Sequence, residues 1–376
     1  MKIMTILGTR PEIIRLCEII KKIDCFASNI LVHTGQNYDK NLHQVFFQDL
    51  NLRCPDIQLE CKSKNIQEQI AKIIKETGNV MDKEKPDAIL ILGDTNSGLS
   101  AIAAKRKKIP IFHLEAGDRS FDNDVPEELN RKLIDHTSDV NLAYTEHSRR
   151  NLIKEGIHTK NIFVVGSPIK EVYDKLEKKI KKNIILKNLN LKPKKYFLAS
   201  LHREENVDKK GNLAEVVKTF NSIVDKYKLP LVVSAHPRTI NSLKKFDFLQ
   251  NSNNLVNWHS PFGLLDYIKL QKESYCVISD SGTIHEDSAI LKFPALAIRN
   301  STEKYESLDS GYCPITGLNS ENVLSMINVI TKNFSSLKNS PIPDAYNQIN
   351  VSNKVVNIIL GMRDIVDFNT WGRKNH

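Results

Sequence analysis

The stretch DAILILGDTNS, residues 87–97, decides the fold because it sets an apolar strand directly before a polar turn. Residues 88–92 are AILIL, with no polar side chain among them. Such an uninterrupted run is typical of a strand buried on both faces of a parallel sheet. The sequence also predicts a helix from Ser97 to Lys107. The stretch therefore indicates one strand–helix unit of an α/β fold.

The same alternation continues on both sides of this stretch. Further strands are predicted at 2–7, 29–35, 109–115, 139–144 and 161–166, and then at 196–200, 230–235, 254–258, 275–279 and 293–298. Helical patterns lie between them, so we expect two doubly wound parallel domains that join in the lysine-rich stretch 166–195. Residues 351–371 have the apolar spacing of a long amphipathic helix, which must bury its apolar face on another element.

The composition excludes several classes of protein. The chain has 376 residues and a net charge of +10, and its N-terminus has the pattern of a strand and not that of a signal peptide. No apolar run is long enough for a membrane span, so a cytoplasmic protein is expected. The six cysteines form neither a CxxC pair nor a zinc-type spacing. The lysines are spread out, which argues against nucleic-acid binding and favours an anionic small molecule such as a nucleotide.

Ionisable side chains recur where the predicted strands end. They occur in Thr9-Arg10, Asp94, Glu115, His202-Arg203, His236-Pro237-Arg238 and Asp280-Ser281. In open parallel sheets, ligands bind beyond the carboxyl ends of the strands. If the two sheet edges face one another, they enclose a ligand cleft.

The segment DSGTIHEDS, residues 280–288, has the pattern of a nucleotide site. Ser281 and Gly282 open a helix directly after an apolar strand, and free N–H groups at a helix start receive phosphate. Glu286, one turn later, has a carboxylate suited to two ribose hydroxyl groups. Arg10 can supply a fork-shaped donor for a diphosphate. The sequence has neither a GxGxxG motif nor a P-loop, so neither a dinucleotide nor ATP hydrolysis is suggested.

The carboxylates also have plain structural interpretations, which the residues alone leave open. Asp94 can cap the helix that follows it. Glu127 can complement a helix dipole or pair with Arg131. His202 can be a half-buried structural histidine, and an acidic loop is predicted to make turns or face solvent through Asp118, Asp122 and Asp124.

Eight motifs, taken together in this order, resemble the non-hydrolysing UDP-N-acetylhexosamine 2-epimerases over essentially the whole chain. They are GTRPEII, HTGQNYD, LGDTNS, HLEAGDR, PEELNR, LHREEN, AHPRT and DSGTIHEDS. The resemblance implies a glycosyltransferase-B-like fold of two Rossmann-like domains, with a C-terminal helix that crosses back to the first domain. The expected boundaries are 1–167 with about 355–376 for the first domain, which carries the catalytic carboxylates, and 168–354 for the UDP-binding domain. It also implies a homodimer without a metal or redox cofactor.

The resemblance further implies roles for individual residues. Asp94, Glu115 and Glu127 are expected at C2 of the sugar, with His202 facing them from the second domain. UDP and its diphosphate are expected to contact Arg10, Arg15, His202, His236, Tyr267, Ser281, Gly282 and Glu286, of which Tyr267 takes the uracil and Glu286 the ribose.

Within the family, the motifs look most similar to a subgroup that makes UDP-N-acetyl-L-fucosamine for surface polysaccharide. That subgroup inverts C2 of UDP-2-acetamido-2,6-dideoxy-L-talose by anti elimination of UDP to a 2-acetamidoglycal and re-addition. The alternatives are a UDP-GlcNAc/UDP-ManNAc 2-epimerase, a glycosyltransferase that uses a UDP-sugar donor, and a non-catalytic nucleotide binder.

Four positions depart from the pattern of the UDP-GlcNAc enzymes. Asn37 stands where they commonly have a histidine of an allosteric site, so activation by substrate is not expected. Lys304 and Tyr305 replace an Arg-Pro pair in the loop near the diphosphate, and Asp118 replaces a leucine.

Overall fold

The computed structural model describes residues 1–36 and 46–373, and its chain divides into two compact units. Unit 1 comprises Met1–Lys175 and Asp344–His376, and unit 2 comprises Leu176–Pro343. The expected boundaries were near 168 and 355. The first boundary lies later because the helix Ile169–Lys182 runs across it, so the chain changes unit within a helix and not in a linker.

Unit 1 is built on a seven-stranded sheet with the order β3-β2-β1-β4-β5-β6-β7. Every strand pair is parallel, as the apolar runs predicted. The strands are β1 (Lys2–Leu7), β2 (Ser28–His33), β3 (Ile57–Gln58), β4 (Ala88–Leu92), β5 (Ile111–Leu114), β6 (Val140–Ala143) and β7 (Ile162–Val164). The two-residue strand β3 was not predicted, because it is too short to show a periodic pattern.

Helices connect these strands. They span Arg10–Phe26, Ile66–Glu84, Ser100–Arg106, Pro126–Thr137, Glu146–Lys154, Ile169–Lys182 and Val351–Trp371, with 3₁₀ turns at Asn96–Leu99, Thr159–Asn161 and Asp344–Tyr346. Asn65 caps the second helix, since its side chain accepts from the N–H groups of Gln67 and Glu68. A helix was predicted to begin near Asn41, which lies outside the described residues. Residues 46–49 are helical.

Unit 2 has a five-stranded parallel sheet with the order β10-β9-β8-β11-β12. Its strands are β8 (Phe197–Leu201), β9 (Leu231–Ala235), β10 (Val256–His259), β11 (Cys276–Ser279) and β12 (Ala295–Ala297). Its helices span Ile185–Asn188, Glu204–Val207, Lys210–Tyr227, Pro237–Lys245, Leu264–Glu273, Ile284–Leu291, Tyr305–Asp309 and Ser320–Asn339. Two buried clusters cover the faces of this sheet, one around Phe220 and the other around Phe293.

The strand orders confirm the predicted fold class and locate its ligand-binding edges. In each sheet the order reverses once, between β1 and β4 in unit 1 and between β8 and β11 in unit 2. Rossmann-like sheets bind ligands outside such switch points. The C-terminal helix Val351–Trp371 belongs to unit 1 and packs against Arg10–Phe26, as expected. Among the described residues, no helix is long and apolar enough to span a membrane.

Candidate active site

The switch point of unit 1 contains a buried carboxylate that was not singled out from the sequence. Glu12 is 1% exposed. Its side chain accepts from the N–H of Gly8 at 3.0 Å, the hydroxyl of Thr9 at 2.7 Å and the hydroxyl of Thr95 at 3.2 Å. Burial raises its pKa to about 7, although these hydrogen bonds act in the opposite direction. Glu12 thus joins the turn after β1 to the turn after β4.

Gly8 has to be glycine because the chain passes close to two side chains at this point. A Cβ atom there would lie 2.2 Å from the hydroxyl oxygens of both Thr34 and Ser97. These two hydroxyls are hydrogen-bonded to each other at 2.7 Å. The start of the GTRPE motif is therefore held by its neighbours, and Arg10 follows it with its guanidinium 5.5 Å from the ring centre of Phe46.

Asp94 lies at the carboxyl end of β4 and is paired with a cation. Its Oδ2 atom is 2.6 Å from Nη2 of Arg131. The same guanidinium contacts Glu128, with Nη1 3.0 Å from Oε2. The side chain of Thr95, not that of Asp94, caps the following 3₁₀ turn. The capping interpretation of Asp94 is therefore wrong, and the observed contact is an ion pair.

Glu127 and Glu128 occupy the first turn of the helix Pro126–Thr137 and point in different directions. Glu127 is exposed, whereas Glu128 is 1% exposed and also accepts from the backbone and hydroxyl of Ser120. Among the contacts of the described residues, Arg131 pairs with Glu128 and Asp94, and the alternative pair between Glu127 and Arg131 is not found. The described contacts bring Asp94, Arg131 and Glu128 together and leave Glu127 at the surface.

Glu115 follows β5 with an unusual backbone conformation. Its φ angle is +66°, in the left-handed region that costs a non-glycine residue about 1–2 kcal/mol. Strain of this kind is concentrated at functional sites. Its carboxylate lies 3.9 Å from Nε of Arg15, whose guanidinium is 5.6 Å from the ring centre of Tyr144. Arg15 is 4% exposed, so it acts here as the partner of Glu115.

A buried ionic cluster lies next to these turns. His113 contacts Asp135 at 2.8 Å and the carbonyl of Gly93 at 2.8 Å. The other oxygen of Asp135 is 2.8 Å from Arg119, which also forms two hydrogen bonds with Glu155. Burial opposes the charge of Arg119, but these two carboxylates outweigh it and raise the pKa of the guanidinium.

At the switch point of unit 2, a buried aspartate holds a histidine. Asp280 is fully buried and accepts from the N–H groups of His202 and Arg203 and from the side chain of Asn206. Its Oδ1 atom is 2.9 Å from Nδ1 of His202, and the His202 side chain is 45% exposed. Burial would raise the pKa of Asp280, but His202 and these hydrogen bonds outweigh it and leave the pKa lowered.

The loop after β11, where the phosphate is expected, is held by hydrogen bonds of its own serine hydroxyl groups. The N–H of Ser281 donates to Ser279 at 3.0 Å, and the Ser281 hydroxyl accepts from the N–H of Thr283 at 3.3 Å. A Cβ atom at Gly282 would lie 2.6 Å from Oε1 of Glu303. Glu303 is held by Arg299 at 2.9 Å, and Arg299 is 1% exposed. Gly282 therefore lies beside a buried pair of an arginine and a carboxylate.

The remaining expected nucleotide residues have different environments. Glu286 is fully buried on the first turn of Ile284–Leu291. Tyr267 is half-buried. Burial raises the pKa of its hydroxyl group, although hydrogen bonds with the side chains of Ser200 and Ser279 act in the opposite direction. His236 is exposed, and its side chain caps the helix Pro237–Lys245 by accepting a hydrogen bond from the backbone N–H of Arg238.

Three of the four positions that depart from the family pattern are described, and one of them, Tyr305, begins the helix Tyr305–Asp309. Asp118 is 5% exposed and accepts from the hydroxyl of Ser148 at 2.7 Å, so the prediction that it solvates a loop is wrong. Lys304 is 3% exposed, and its N–H donates to Thr302. Asn37 lies outside the described residues.

Sequence reasoning therefore gave no role in the site to Glu12, which follows the first strand, to Glu128 or to the His113–Asp135 pair. Glu12 follows Gly8 by four residues, and Glu128 precedes Arg131 by three, which is a helical pairing distance. The i, i+3 spacing was an available signal for Glu128. The contact between His113 and Asp135 joins residues 22 positions apart, and no local pattern indicates it.

Residues 22–360 match the family described as UDP-N-acetylglucosamine 2-epimerase. The structure of UDP-N-acetylglucosamine 2-epimerase from Rickettsia bellii is 44% identical and aligns with a TM-score of 0.94 over 99% of this chain and 100% of its own. The structure of the Methanocaldococcus jannaschii UDP-GlcNAc 2-epimerase, in complex with UDP-GlcNAc and UDP, is 36% identical, with a TM-score of 0.90 over 96% of this chain and 100% of its own.

A relative with a different substrate name is similar as well. The UDP-2,3-diacetamido-2,3-dideoxy-D-glucuronate 2-epimerase of Pseudomonas aeruginosa is 34% identical over 322 residues, which are 84% of this chain and 88% of the relative. Proteins named for different UDP-sugars thus share this sequence pattern.

Proposed function

Because this chain belongs to the UDP-N-acetylglucosamine 2-epimerase family, and is therefore a UDP-sugar 2-epimerase, we propose that it inverts C2 by eliminating UDP and adding it back. The observation that carries this proposal is the pair of carboxylates, Asp94 and Glu115, that follow the neighbouring strands β4 and β5. Each is held next to an arginine, and Glu115 keeps a strained backbone.

The chemistry requires acid–base groups and a stabilised leaving group. The C2 proton of a 2-acetamido sugar is not adjacent to a carbonyl group, so direct deprotonation is very unfavourable. In elimination, a carboxylate takes this proton, the C2–H electron pair forms the C1–C2 double bond, and UDP leaves with the C1–O electron pair. Return of UDP to C1, with a proton delivered to the opposite face of C2, gives the epimer.

Unit 1 supplies the acid–base groups in this proposal. Asp94 and Glu115 exchange the C2 proton, and Glu127 completes the expected set from its exposed position on the first turn of Pro126–Thr137. A general acid or base of this kind contributes about 10²–10⁴-fold to the rate. Glu12 adds a buried carboxyl group that is hydrogen-bonded to Thr95. The pKa of Glu12, about 7, permits both protonation states near neutral pH.

Unit 2 supplies the groups for the nucleotide. The Ser281 hydroxyl, the backbone N–H of Gly282 and the guanidinium of Arg299 are proposed to contact the diphosphate that departs, with Arg299 exchanging Glu303 for the phosphate. His202 has Nδ1 fixed by Asp280, so a donated Nδ1 proton leaves Nε2 to exchange a proton with the leaving group or the sugar. Glu286 is proposed to take the ribose and Tyr267 the uracil.

Isotope exchange tests this reaction directly. The protein is incubated with a UDP-sugar alone in D₂O, and NMR follows both the anomeric protons and the C2 position. Deuterium at C2 together with a second epimer is the expected result. A glycosyltransferase, the alternative of another class, leaves C2 protonated and needs an acceptor. Bound UDP without deuterium at C2 in any UDP-sugar contradicts the proposal.

For the sugar, we propose UDP-2-acetamido-2,6-dideoxy-L-talose, with UDP-N-acetyl-L-fucosamine for surface polysaccharide as the product. The subgroup resemblance supports this choice, whereas the names of the relatives support UDP-GlcNAc, which is the alternative. A pocket for a 6-deoxy sugar rejects an added hydroxyl by only about 10²-fold, so weak activity on UDP-GlcNAc is compatible with the 6-deoxy choice. The values of kcat/KM for the talose compound, UDP-GlcNAc and UDP-ManNAc decide. A higher value for UDP-GlcNAc overturns the 6-deoxy assignment and leaves the epimerase intact.

We also propose that the chain forms a homodimer. Leu129 and Leu133 lie one turn apart on Pro126–Thr137 and are 63% and 43% exposed, which suits a contact between copies. Light scattering of the purified protein measures the mass directly. A particle of about 43 kDa at all concentrations, the mass of one chain, contradicts a dimer.

A further inference from the structure

The buried pair His113–Asp135 contacts both of the turns that carry the proposed acid–base carboxylates. Nε2 of His113 lies 2.8 Å from the carbonyl oxygen of Gly93, the residue before Asp94. Asp135 Oδ2 accepts from the N–H of Gly117, two residues after Glu115, at 3.1 Å. Gly93 and Gly117 have φ angles of +69° and +85°, so each contact holds a turn at its left-handed residue. One pair therefore fixes both turns.

The contacts also define the protonation of His113. Both ring nitrogens face acceptors, since Nδ1 is 2.8 Å from Oδ1 of Asp135 and Nε2 is 2.8 Å from the Gly93 carbonyl. A neutral imidazole has a single N–H and can satisfy only one of these contacts. Arg119, 2.8 Å from the other oxygen of Asp135, favours the ionised carboxylate. The two contacts together therefore suit a ring with a proton on each nitrogen.

The surrounding charges balance this cation. His113 is 1% exposed, and the side chains of Arg119 and Asp135 are completely buried. Arg119 is also 2.6 Å from Glu155, which is paired with the half-exposed His136 at 3.2 Å. An imidazolium at His113, together with Arg119, would face two carboxylates, Asp135 and Glu155, so the cluster would need no further counter-ion.

We propose that His113 and Asp135 are positioning residues, an imidazolium–carboxylate pair that holds Asp94 and Glu115 at the separation that proton exchange at C2 requires. This inference rests on the proposed function, because it assumes that these two carboxylates act on the sugar. A displacement of about 1 Å in a reacting group costs about 10²-fold in rate. The pair contacts backbone groups of the two turns and contributes no atom to the reaction.

The variant His113→Gln tests the pair. Glutamine keeps a donor of similar length but cannot bond Asp135 and Gly93 at the same time. We expect kcat to fall by about 10–10²-fold, with the Kd for UDP within twofold of wild type. His136→Gln is the matched control, since it removes a histidine at the exposed end of the same cluster, and its kcat should stay within twofold of wild type. Unchanged kcat in His113→Gln, or equal losses of kcat and UDP affinity, overturns the proposal.

A second measurement keeps the inference testable if the variant does not fold. Nitrogen-15 NMR of histidine-labelled wild-type protein, with His113 assigned through its backbone, reports how many ring nitrogens carry a proton. Two protonated nitrogens at neutral pH are expected, and a single one overturns the inference. Deuterium exchange at C2 by the wild type is measured first. Its absence contradicts the proposed function, whereas active wild type with an equally active His113→Gln contradicts only the positioning role.

Discussion

Each of the two sheets has a buried carboxylate that joins the turns at its switch point, yet the pKa values of the two carboxylates are shifted in opposite directions. Glu12 accepts from Gly8, after β1, and from Thr95, after β4. Asp280, after β11, accepts from His202, after β8. The pKa of Glu12 is raised to about 7, whereas that of Asp280 is lowered.

The difference teaches that the partners, and not burial alone, decide the charge of a buried acid. Burial raises the pKa of both carboxyl groups. Glu12 is bonded only by neutral donors, which do not compensate for the lost hydration. Asp280 has His202 in addition to two backbone N–H groups and Asn206. The edge of unit 1 thus retains a group that can take up a proton near neutral pH, and the edge of unit 2 retains a fixed anion beneath a histidine.

The variants with the largest expected effect test whether the groups that exchange the C2 proton lie at the edge of the unit 1 sheet. Asp94→Asn and Glu115→Gln should each lower turnover by about 10²–10⁴-fold, because the amides cannot exchange the C2 proton. The affinity for UDP should stay near the wild-type value, as calorimetry can measure. Asp124→Asn, in the exposed acidic loop, is the control and should retain turnover. Near-normal turnover in both edge variants would reduce these residues to partners of Arg131 and Arg15.

The next effect concerns Glu12 and the dependence of stability on pH. Between the ordinary pKa of 4.5 and the folded value of about 7, Glu12 carries a proton in the folded state but not in the unfolded state. The stabilisation from this proton is therefore complete below pH 4.5 and is lost as the pH rises through 7. This loss amounts to about 3 kcal/mol. Glu12→Gln should remove it, as urea unfolding between pH 4.5 and 8 can show, whereas exposed Glu60→Gln should not. Parallel curves for wild type and Glu12→Gln would mean that Glu12 is ionised throughout.

A smaller effect compares nucleotide binding in the two units. Glu286→Ala in unit 2 and Arg10→Ala in unit 1 should each weaken UDP binding by roughly 1.5–3 kcal/mol, the cost of losing hydrogen bonds to a charged group. Calorimetry with UDP measures both variants, and Glu60→Gln again serves as the control. An effect confined to Glu286→Ala would restrict nucleotide binding to unit 2. Unchanged affinity in both would place the nucleotide elsewhere.

The smallest expected effect is the opposite pH dependence of Asp280. Because its folded pKa is lowered, its contribution is present above the ordinary value of 3.8 and is lost as the pH falls through the folded value. Asp280→Asn should cost about 1 kcal/mol at neutral pH, where one N–H donor loses its acceptor, and should flatten the acid limb of the stability curve. Asp225→Asn, elsewhere in unit 2, provides the control. A steeper acid limb in Asp280→Asn would refute the comparison.

Much of the fold follows from local patterns. The apolar run of β4 and its counterparts predicted parallel strands, and the polar residues after them predicted the ligand-binding edges, because strand ends align in a parallel sheet. The strand order and the paired turns of Asp94 and Glu115 agree with that expectation. The catalytic and nucleotide-binding roles of these residues stay predictions, which the experiments above test.

The sequence was less informative about the direction of side chains. Neighbouring helical residues point about 100° apart, so packing decided that Glu128 is buried with Arg131 while Glu127 is exposed. Asp118 has an ordinary loop sequence around it, yet the packing of Glu146–Lys154 brings Ser148 to its carboxylate. Contacts of this kind join residues far apart in the chain and leave no periodic signal.

The sequence by itself determined the alternation of strands and helices, the polar edges of both sheets and the family, since all three are written in local composition and spacing. Tertiary structure alone decided which carboxylate gained a cation, which had its pKa raised and which histidine was enclosed. Glu12 and Asp280 follow similar strand ends, but their pKa values move apart because the neighbours that folding brings to each are different.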